Sequence, residues 1–533
     1  MKKNILILIL SLILIIGMSL SVLGAQKEIS WQIGSEPPSL DPCLATDSIS
    51  IDMVENLFLG LTDLAYDINT SETTVMPELA TDWEVSEDGL VWAFHMRKDV
   101  VWSDGKPVTA HDVEYAVRRT CDPATASDYA YVLYIIKGAK EVNTGEITDL
   151  SHIGVKAIDD YTIQFALNHP AGYFPSIAGM WVARPVPKWA IEKYGDSWTE
   201  AGKIVTNGPY LLKEWKHEDE IVMAKNPKFY DADKVDIDII HSVIVVEDST
   251  AMAMYEAGEL DSTPCPLEDI DRVKADPVLS KEYVNMPDVC TYYYGFNTTK
   301  PPFDNALVRK AFSAAIDRQS LIDFVLKGGQ SPATTFTCPG MFGHIPPSEG
   351  VGIPFNKEAA RKYLADAGYP EGKGLPEITL MFNTSEAHGK IAQAIQQMWK
   401  ENLGVDVNIT NQEWAVYLKT TIEDPPQIWR MGWCADYADA NNWVYENFHS
   451  TDSDNRVRWN NPEFDRVVEQ AARESDPKKR YELYKRSEQI LCEEVAAIAP
   501  IYFYTVSWMV KPHLYRTFSP LGGQHFNQWK IIE

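Results

Sequence analysis

The sequence predicts a mixed α/β protein, helices packed on sheets, divided into two or three lobes. Three observations carry this. The chain has 533 residues, more than one compact core accommodates. Its composition, 45% apolar and 23% charged, is that of an ordinary folded protein. Helix-period and strand-period segments alternate along its length, with no internal repeat and no low-complexity linker.

The elements follow in chain order. "LVWAFHMRKDVVWSDGKPVT" reads as a strand, a connection and a turn at Asp104-Gly105. In "TAHDVEYAVRRTCD", Thr109 and Asp112 form a capping pair for a helix that runs into Cys121. "DSTAMAMYEAGELD" is a short helix stopped at Gly258. "DNALVRKAFSAAIDRQSLIDFVLKGG" reads as two helical pieces ending in a glycine pair. Ile391, Ala394, Ile395, Met398 and Trp399 recur at helical spacing, Gly404 ends that helix, and Val405 to Ile409 alternate as a strand. Two further helices lie in "NPEFDRVVEQAARE" and "DPKKRYELYKRSEQILCEEVA". Their aromatic stripes read as core.

Composition also narrows function. A net charge of −28 leaves no basic stripe for phosphates, so nucleic acid is not an expected partner. The 16 Trp and 25 Tyr suit either a deep cleft that grips a ligand or a large aromatic core. Lys2 and Lys3 precede an apolar run from Ile5 to about Leu23, and "VLGAQKE" follows, so residues 1–25 read as a secretory signal. The run is also long enough to serve as an uncleaved anchor. Ala25 stands where a lipoprotein signal has its cysteine, which favours a soluble exported protein, periplasmic or extracellular. The seven cysteines are scattered singly, without metal-ligand spacing. Outside the cytoplasm some can pair. No G-x-S-x-G, H-E-x-x-H or Walker motif occurs, so neither an enzyme nor a cofactor or metal is expected, and the weight moves to a binding protein.

Seven stretches then point in one direction: "SEPPSLDPCLATD" (35–47), "NLFLGLT" (56–62), "VWSDGKPVTAHDVEYAVRR" (101–119), "IVTNGPYLLKEW" (204–215), "CTYYYGFN" (290–297), "NQEWAVYL" (411–418) and "GWCADY" (432–437). In this order they resemble the solute-binding proteins of peptide ABC importers, most closely the oligopeptide-binding branch. The resemblance implies a two-lobe, three-domain clamp that closes on its ligand. Lobe I comprises 26–70, 188–289 and 505–533, an inserted domain 71–187, and lobe III 290–504. It implies no catalysis, a monomer, short peptides as ligands and a membrane permease as partner. The scaffold's other cargoes (metal chelates, opines, oligosaccharides) and a peptide-sensing role are alternatives.

The resemblance also assigns residues. Asp436 receives the peptide's α-ammonium, a charge-assisted contact. Arg430 takes the carboxylate of a tripeptide, with an ion pair inside its own lobe as the competing reading. His388 matches another position of length-dependent carboxylate binding, or is structural. Leu326 stands at the family's lysine position for a longer peptide, with Lys327 beside it. Tyr129, Tyr293, Trp414 and Trp433 form walls, Gly432 lies on the ligand strand, and the peptide backbone adds as a strand. Cys434 pairs with Cys290, or both stay buried thiols. The chain departs from the branch at Leu59 and Gly295, where acidic residues are usual, and at Thr421, where an arginine is usual.

Overall fold

The structure, a computed structural model, describes residues 26–67, 72–518 and 523–532; the signal segment expected at 1–25 lies outside them. Two halves meet across a cleft and share one mixed sheet of 11 strands. From one edge the order is Asn408–Gln412, Thr379–Asn383, Ile428–Cys434, Tyr283–Phe296, Ile498–Val510, Ser262–Pro264, Glu28–Ile33, Ile239–Ile244, Glu220–Lys225 and Tyr210–Lys216. Ser331–Pro332 pairs off this path with Ile498–Val510.

The two longest strands, Tyr283–Phe296 and Ile498–Val510, run antiparallel through both halves. Their outer parts pair Tyr283 with Met509 through Pro287 with Thr505; their inner parts pair Thr291 with Phe503 through Gly295 with Ile498. The register shifts between Pro287 and Thr291, and again between Tyr292 and Tyr293. A bulge in an antiparallel pair bends and twists it, so the ribbon joining the halves carries its irregularity at the crossing.

The N-terminal half holds a second, four-stranded antiparallel sheet, ordered Ala80–Val85, Val91–Met96, Thr162–Ala166 and Val155–Asp159. Helix Ala110–Cys121 covers it. One buried cluster runs from Ile29 and Trp31 through Phe94, Phe165 and Trp181, so this sheet and the N-terminal part of the large sheet share a core. The other half buries two clusters, one around Tyr294 and Trp399 and one around Trp429 and Trp443.

Local signals behave as their chemistry dictates. The Thr109 amide donates to Asp112 Oδ2 at 2.8 Å, which satisfies one otherwise orphaned helix N–H. Gly105, Gly258 and Gly404 have φ of 94°, 81° and 74°, the left-handed region a turn or helix stop requires. The expected strand at Val405–Ile409 begins later, at Asn408. Val405 and Val407 are buried in an irregular connection, and strand geometry starts only where Thr379 lies alongside to pair. The second helical piece, Arg318–Leu321, widens into a π turn, Ile322–Leu326, before Lys327 and the glycine pair.

Candidate functional site: a charged cleft between the halves

Strand Ile428–Cys434 positions the site. Side chains alternate across a strand, so Arg430, Gly432 and Cys434 share one face while Trp429, Met431 and Trp433 share the other. The chain leaves the strand at Cys434, turns through Ala435, and presents Asp436 to the cleft. Cys434 is bonded to Cys290, its directly opposite partner in the register. The bond pins the strand's end to the ribbon that crosses between the halves.

Asp436 Oδ2 accepts a hydrogen bond from the Tyr129 hydroxyl at 2.9 Å and from the Asn442 amide at 2.7 Å. Asn442 also receives the Asp436 backbone N–H at 2.9 Å and the Trp433 indole N–H at 3.4 Å. Tyr129 belongs to the opposite half, so the carboxylate is held from both sides of the cleft. No lysine, arginine or histidine pairs with Asp436 among the described residues, and Oδ1 accepts no protein hydrogen bond. Burial pushes its pKa up to about 7, against the opposing pull of the Asn442 and Tyr129 hydrogen bonds; the Glu55 charge pushes it further. The side chain is half-buried by exposure, and its free edge faces a space between the halves.

That space is a pair of adjoining cavities of ≈ 200 and ≈ 100 Å³. Both are bounded by Ser48, Ile51, Cys434 and Asp436. The smaller is walled by Tyr129, Tyr293, Trp414, Gly432 and Trp433, so six of the residues expected from the sequence surround one chamber. Tyr129 and Trp433 stack across the cleft, their planes 8° apart and centroids at 6.4 Å. Tyr293 reaches the cavity but is mainly a core residue, packed edge-on against Phe336, Trp429 and Phe448. The indole N–H of Trp414 is buried without a partner.

Arg430 and His388 form a second group further along the strand. Arg430 Nη1 donates to Asn383 Oδ1 at 3.0 Å, Nη2 donates to the Tyr504 hydroxyl, and the guanidinium lies 4.6 Å from the Tyr292 ring centroid. No carboxylate pairs with it among the described residues, so the ion pair that competed for this arginine is not found. His388 packs on the same Tyr292 ring, with centroids at 5.6 Å, and its Nδ1 has no partner. Burial, reinforced by the Arg430 charge, holds its pKa well below the ordinary histidine value, so it stands neutral. A Cβ on Gly432 would lie 3.1 Å from Tyr504 Oη and 3.3 Å from Arg430 Nη2, so the glycine keeps clear the floor between the two charged groups. Arg430 and Asp436 are six positions apart, so at roughly 3.3 Å per residue about 20 Å is the most that separates their backbones, and the turn after Cys434 shortens it. A three-residue peptide spans about 10 Å, and the two side chains reaching inward cover much of the rest.

Several cleft residues escaped the sequence reading: Asn442, Asp47, Asp52, Asp288 and the ion pair of Arg456 with Asp454. Asp47 had a legible role only as an N-cap, accepting from Ile49 N and Ser50 N at 3.1 and 3.2 Å. Arg456 Nη1 also donates to Thr421 Oγ1 at 3.1 Å. Among the described residues no group of three His, Cys, Asp or Glu side chains is placed to hold a metal, and no helix is long and apolar enough to cross a membrane.

A model of the bacterial extracellular solute-binding proteins, family 5, matches residues 74–455, more than half of the chain. The chain belongs to this family. Among relatives of the family 5 chain, the oligopeptide-binding protein OppA of Bacillus subtilis (strain 168) is 38% identical over 93% of this chain and 91% of its own. The structure of the Escherichia coli murein tripeptide binding protein MppA, 33% identical, superposes with a TM-score of 0.88 over 96% of this chain and 100% of MppA. An unliganded open form of MppA, at the same 33% identity, gives a TM-score of 0.66 over 96% of this chain and 98% of that one. Sequence difference is equal in the two comparisons, so conformation separates them: this family 5 structure is not in that open arrangement. Contacts across its cleft agree, including Lys140 with Asp452 at 2.6 Å and Ser249 Oγ donating to Glu386 Oε1 at 2.8 Å. Tyr173 also stacks on Tyr437 with centroids at 5.4 Å.

Proposed function

We propose that this chain is the extracytoplasmic receptor of an ABC importer, capturing short peptides and delivering them to a membrane permease, as a monomer and without chemistry of its own. The observation that carries the reading is a pair of unmatched opposite charges, Arg430 on strand Ile428–Cys434 and Asp436 just beyond its end. Asp436 is desolvated, oriented by Tyr129 and Asn442, and lacks a cation. Arg430 is 7% exposed and lacks an anion. A buried charge without a counter-charge is costly unless a ligand supplies one, and a zwitterion supplies both. Backbone pairing to a strand ignores side-chain identity, which suits a site that takes many sequences. The functions of the relatives, oligopeptide binding for OppA and murein tripeptide binding for MppA, lend support.

The working parts follow from this reading. Residues 26–70, 188–289 and 505–533 form one lobe, 71–187 an inserted domain, and 290–504 the other lobe. The register shift between Pro287 and Thr291 serves as the hinge. Asp436 anchors the ammonium, Arg430 the carboxylate of a tripeptide, and neutral His388 donates or accepts a hydrogen bond beside it.

Native mass spectrometry of the purified mature protein, followed by sequencing of what denaturation releases, tests the reading. Mixed peptides of about two to five residues, or titration of the emptied protein by tripeptides that fails for Asp436→Ala, is the expected result. One homogeneous non-peptide species, or undiminished tripeptide affinity in Asp436→Ala, would overturn it.

A further inference from the structure

The ammonium anchor has a second carboxylate behind it. Glu446, in the helix Asn441–Phe448, is 4% exposed and shares one amide with Asp436. Asn442 Oδ1 accepts the Asp436 backbone N–H and the Trp433 indole N–H, which turns Nδ2 toward the acids. Its two hydrogens then serve one carboxylate each, Asp436 Oδ2 and Glu446 Oε2, both at 2.7 Å. The other Glu446 oxygen, Oε1, lies 2.6 Å from Tyr437 Oη, which also accepts from Asn441 Nδ2 at 2.9 Å.

No cation balances this pair among the described residues. From the opposite half Glu446 meets Tyr129, Tyr131 and Tyr173, all kept protonated by burial. Lys140, Glu141 and His169 of that half border the same ≈ 230 Å³ cavity as Glu446. Its own half contributes Asp436, Tyr437 and Asp439, with Tyr445, Glu469 and Arg473 on the cavity wall. The nearby cations are engaged elsewhere: Lys140 by Asp452 at 2.6 Å, Arg480 by Asp439 at 2.9 Å and Arg456 by Asp454. Arg473 is exposed, and burial holds His169 below its ordinary pKa. A peptide brings one ammonium. Two ionised carboxylates on one amide would leave a buried charge unmatched, which is costly, so one of them keeps a proton. Asp436 faces the peptide and Glu446 is turned away from it. Burial first, then the Asp436 charge, pushes Glu446 up to about 8, above Asp436 at about 7.

We propose that Glu446 is a positioning residue of the ammonium site, acting through Asn442: it holds a proton while Asp436 is ionised and gives it up when a peptide ammonium docks. The inference rests on the peptide-receptor reading and on Asp436 as the ammonium anchor. In the protonated form Oε1–H donates to Tyr437 Oη, and the site presents a single negative charge. A docked ammonium adds a positive charge beside the pair and favours ionised Glu446. The O–H bond of Glu446 then breaks, and its proton passes to solvent through the cavity, which exposed Asn168 and Arg473 also line. Peptide capture is thereby coupled to proton release. Rising pH strengthens the grip on the ammonium until the peptide's own amine deprotonates.

Isothermal titration of the mature protein and of Glu446→Gln with Ala-Ala-Ala tests this. Glutamine keeps the shape and hydrogen bonds of the protonated acid and cannot ionise. At pH 6.5 the variant is expected to bind within threefold of the unaltered protein, and at pH 8 at least fivefold more weakly. A ratio equal at the two pH values would overturn the coupling: an equal loss at both would make Glu446 merely structural. A second measurement needs no variant. At pH 7.5 the protons lost by Asp436 and gained by the peptide amine nearly cancel, so net release reports Glu446. Titration in phosphate and in Tris, whose ionisation enthalpies differ, is expected to show net proton release on binding. No release, or net uptake, would overturn the coupling while leaving the peptide receptor intact. Failure of the unaltered protein to bind at any of these pH values would overturn both.

Discussion

At the scale of single residues, Asp436 gives the clearest test because its protonation is set by competing effects. With its pKa pushed up to about 7, it binds an ammonium only after losing its proton. Affinity for a tripeptide is expected to fall as pH drops from 7 to 5, approaching tenfold per unit. It should also weaken above about pH 8 as the peptide's own amine deprotonates. Tyr129→Phe removes a donor that favours the carboxylate, so the acid limb of this profile is expected to move to higher pH. Calorimetric titrations across pH measure both, and a flat profile from pH 5 to 7 would refute the assignment. Arg430→Ala is expected to weaken tripeptides more than tetra- and pentapeptides, by tenfold or more for the tripeptide. Equal loss at every length, by the same titration, would mean Arg430 is not a length-specific carboxylate site. These residues differ in how legible they were. Asp436, Arg430 and the Cys290–Cys434 pairing were reachable through the motif "GWCADY" and its partner "CTYYYGFN". Asp52, Asp63 and Asp288 were not, because nothing local marks a surface-type aspartate that folding will place in a cavity.

At the scale of elements, the ligand strand depends on its attachment. The disulfide closes a separation of 144 residues, and removing such a link typically costs 2–4 kcal/mol through the freedom it returns to the unfolded chain. The Cys290→Ala, Cys434→Ala double variant is expected to melt at lower temperature and to bind peptide more weakly, since strand Ile428–Cys434 is then held at its exposed end by backbone pairing alone. Thermal melts and titrations on oxidised protein and on the double variant check this; an unchanged melting temperature would show the link to be dispensable. Element identities were largely readable. The capping pair at Thr109 and Asp112 and the stops at Gly258 and Gly404 report geometry within four residues, which sequence encodes directly. The strand near Val405 was misplaced by three residues because its start is set by a partner, Thr379, rather than by its own alternation.

At the scale of the whole molecule, the clamp carries a cluster of acids whose pKa values are raised. Burial pushes Asp52 and Glu446 up to about 8, with repulsion from Glu55 and from Asp436 respectively, and Asp436 up to about 7. A raised carboxyl binds its proton more tightly in the folded state than in the unfolded one. Its contribution to stability is therefore full below the ordinary carboxylate range and is lost as pH rises through the folded value. His388, held well below its ordinary pKa, acts in the opposite sense but only up to about pH 6.5. Between pH 7 and 8 the acids dominate, and the melting temperature of the emptied protein is expected to fall. Saturating tripeptide should flatten that slope by pairing Asp436. Scanning fluorimetry at pH 7, 7.5 and 8, with and without peptide, measures it; a rise in melting temperature of the empty protein over this range would contradict the raised values.

By itself, the sequence determined what short-range chemistry controls: an α/β chain, its helix caps and stops, a net acidic charge, and motif blocks sufficient to assign the family. Tertiary structure alone decided what lies around Asp436. Asp47, Asp288 and Tyr129 stand 389, 148 and 307 positions from it. They reach the two adjoining cavities only because two long strands carry the chain across the cleft and fold the halves together. Burial and the loss of water then change what those residues can do, and neither is a property of any one of them in sequence.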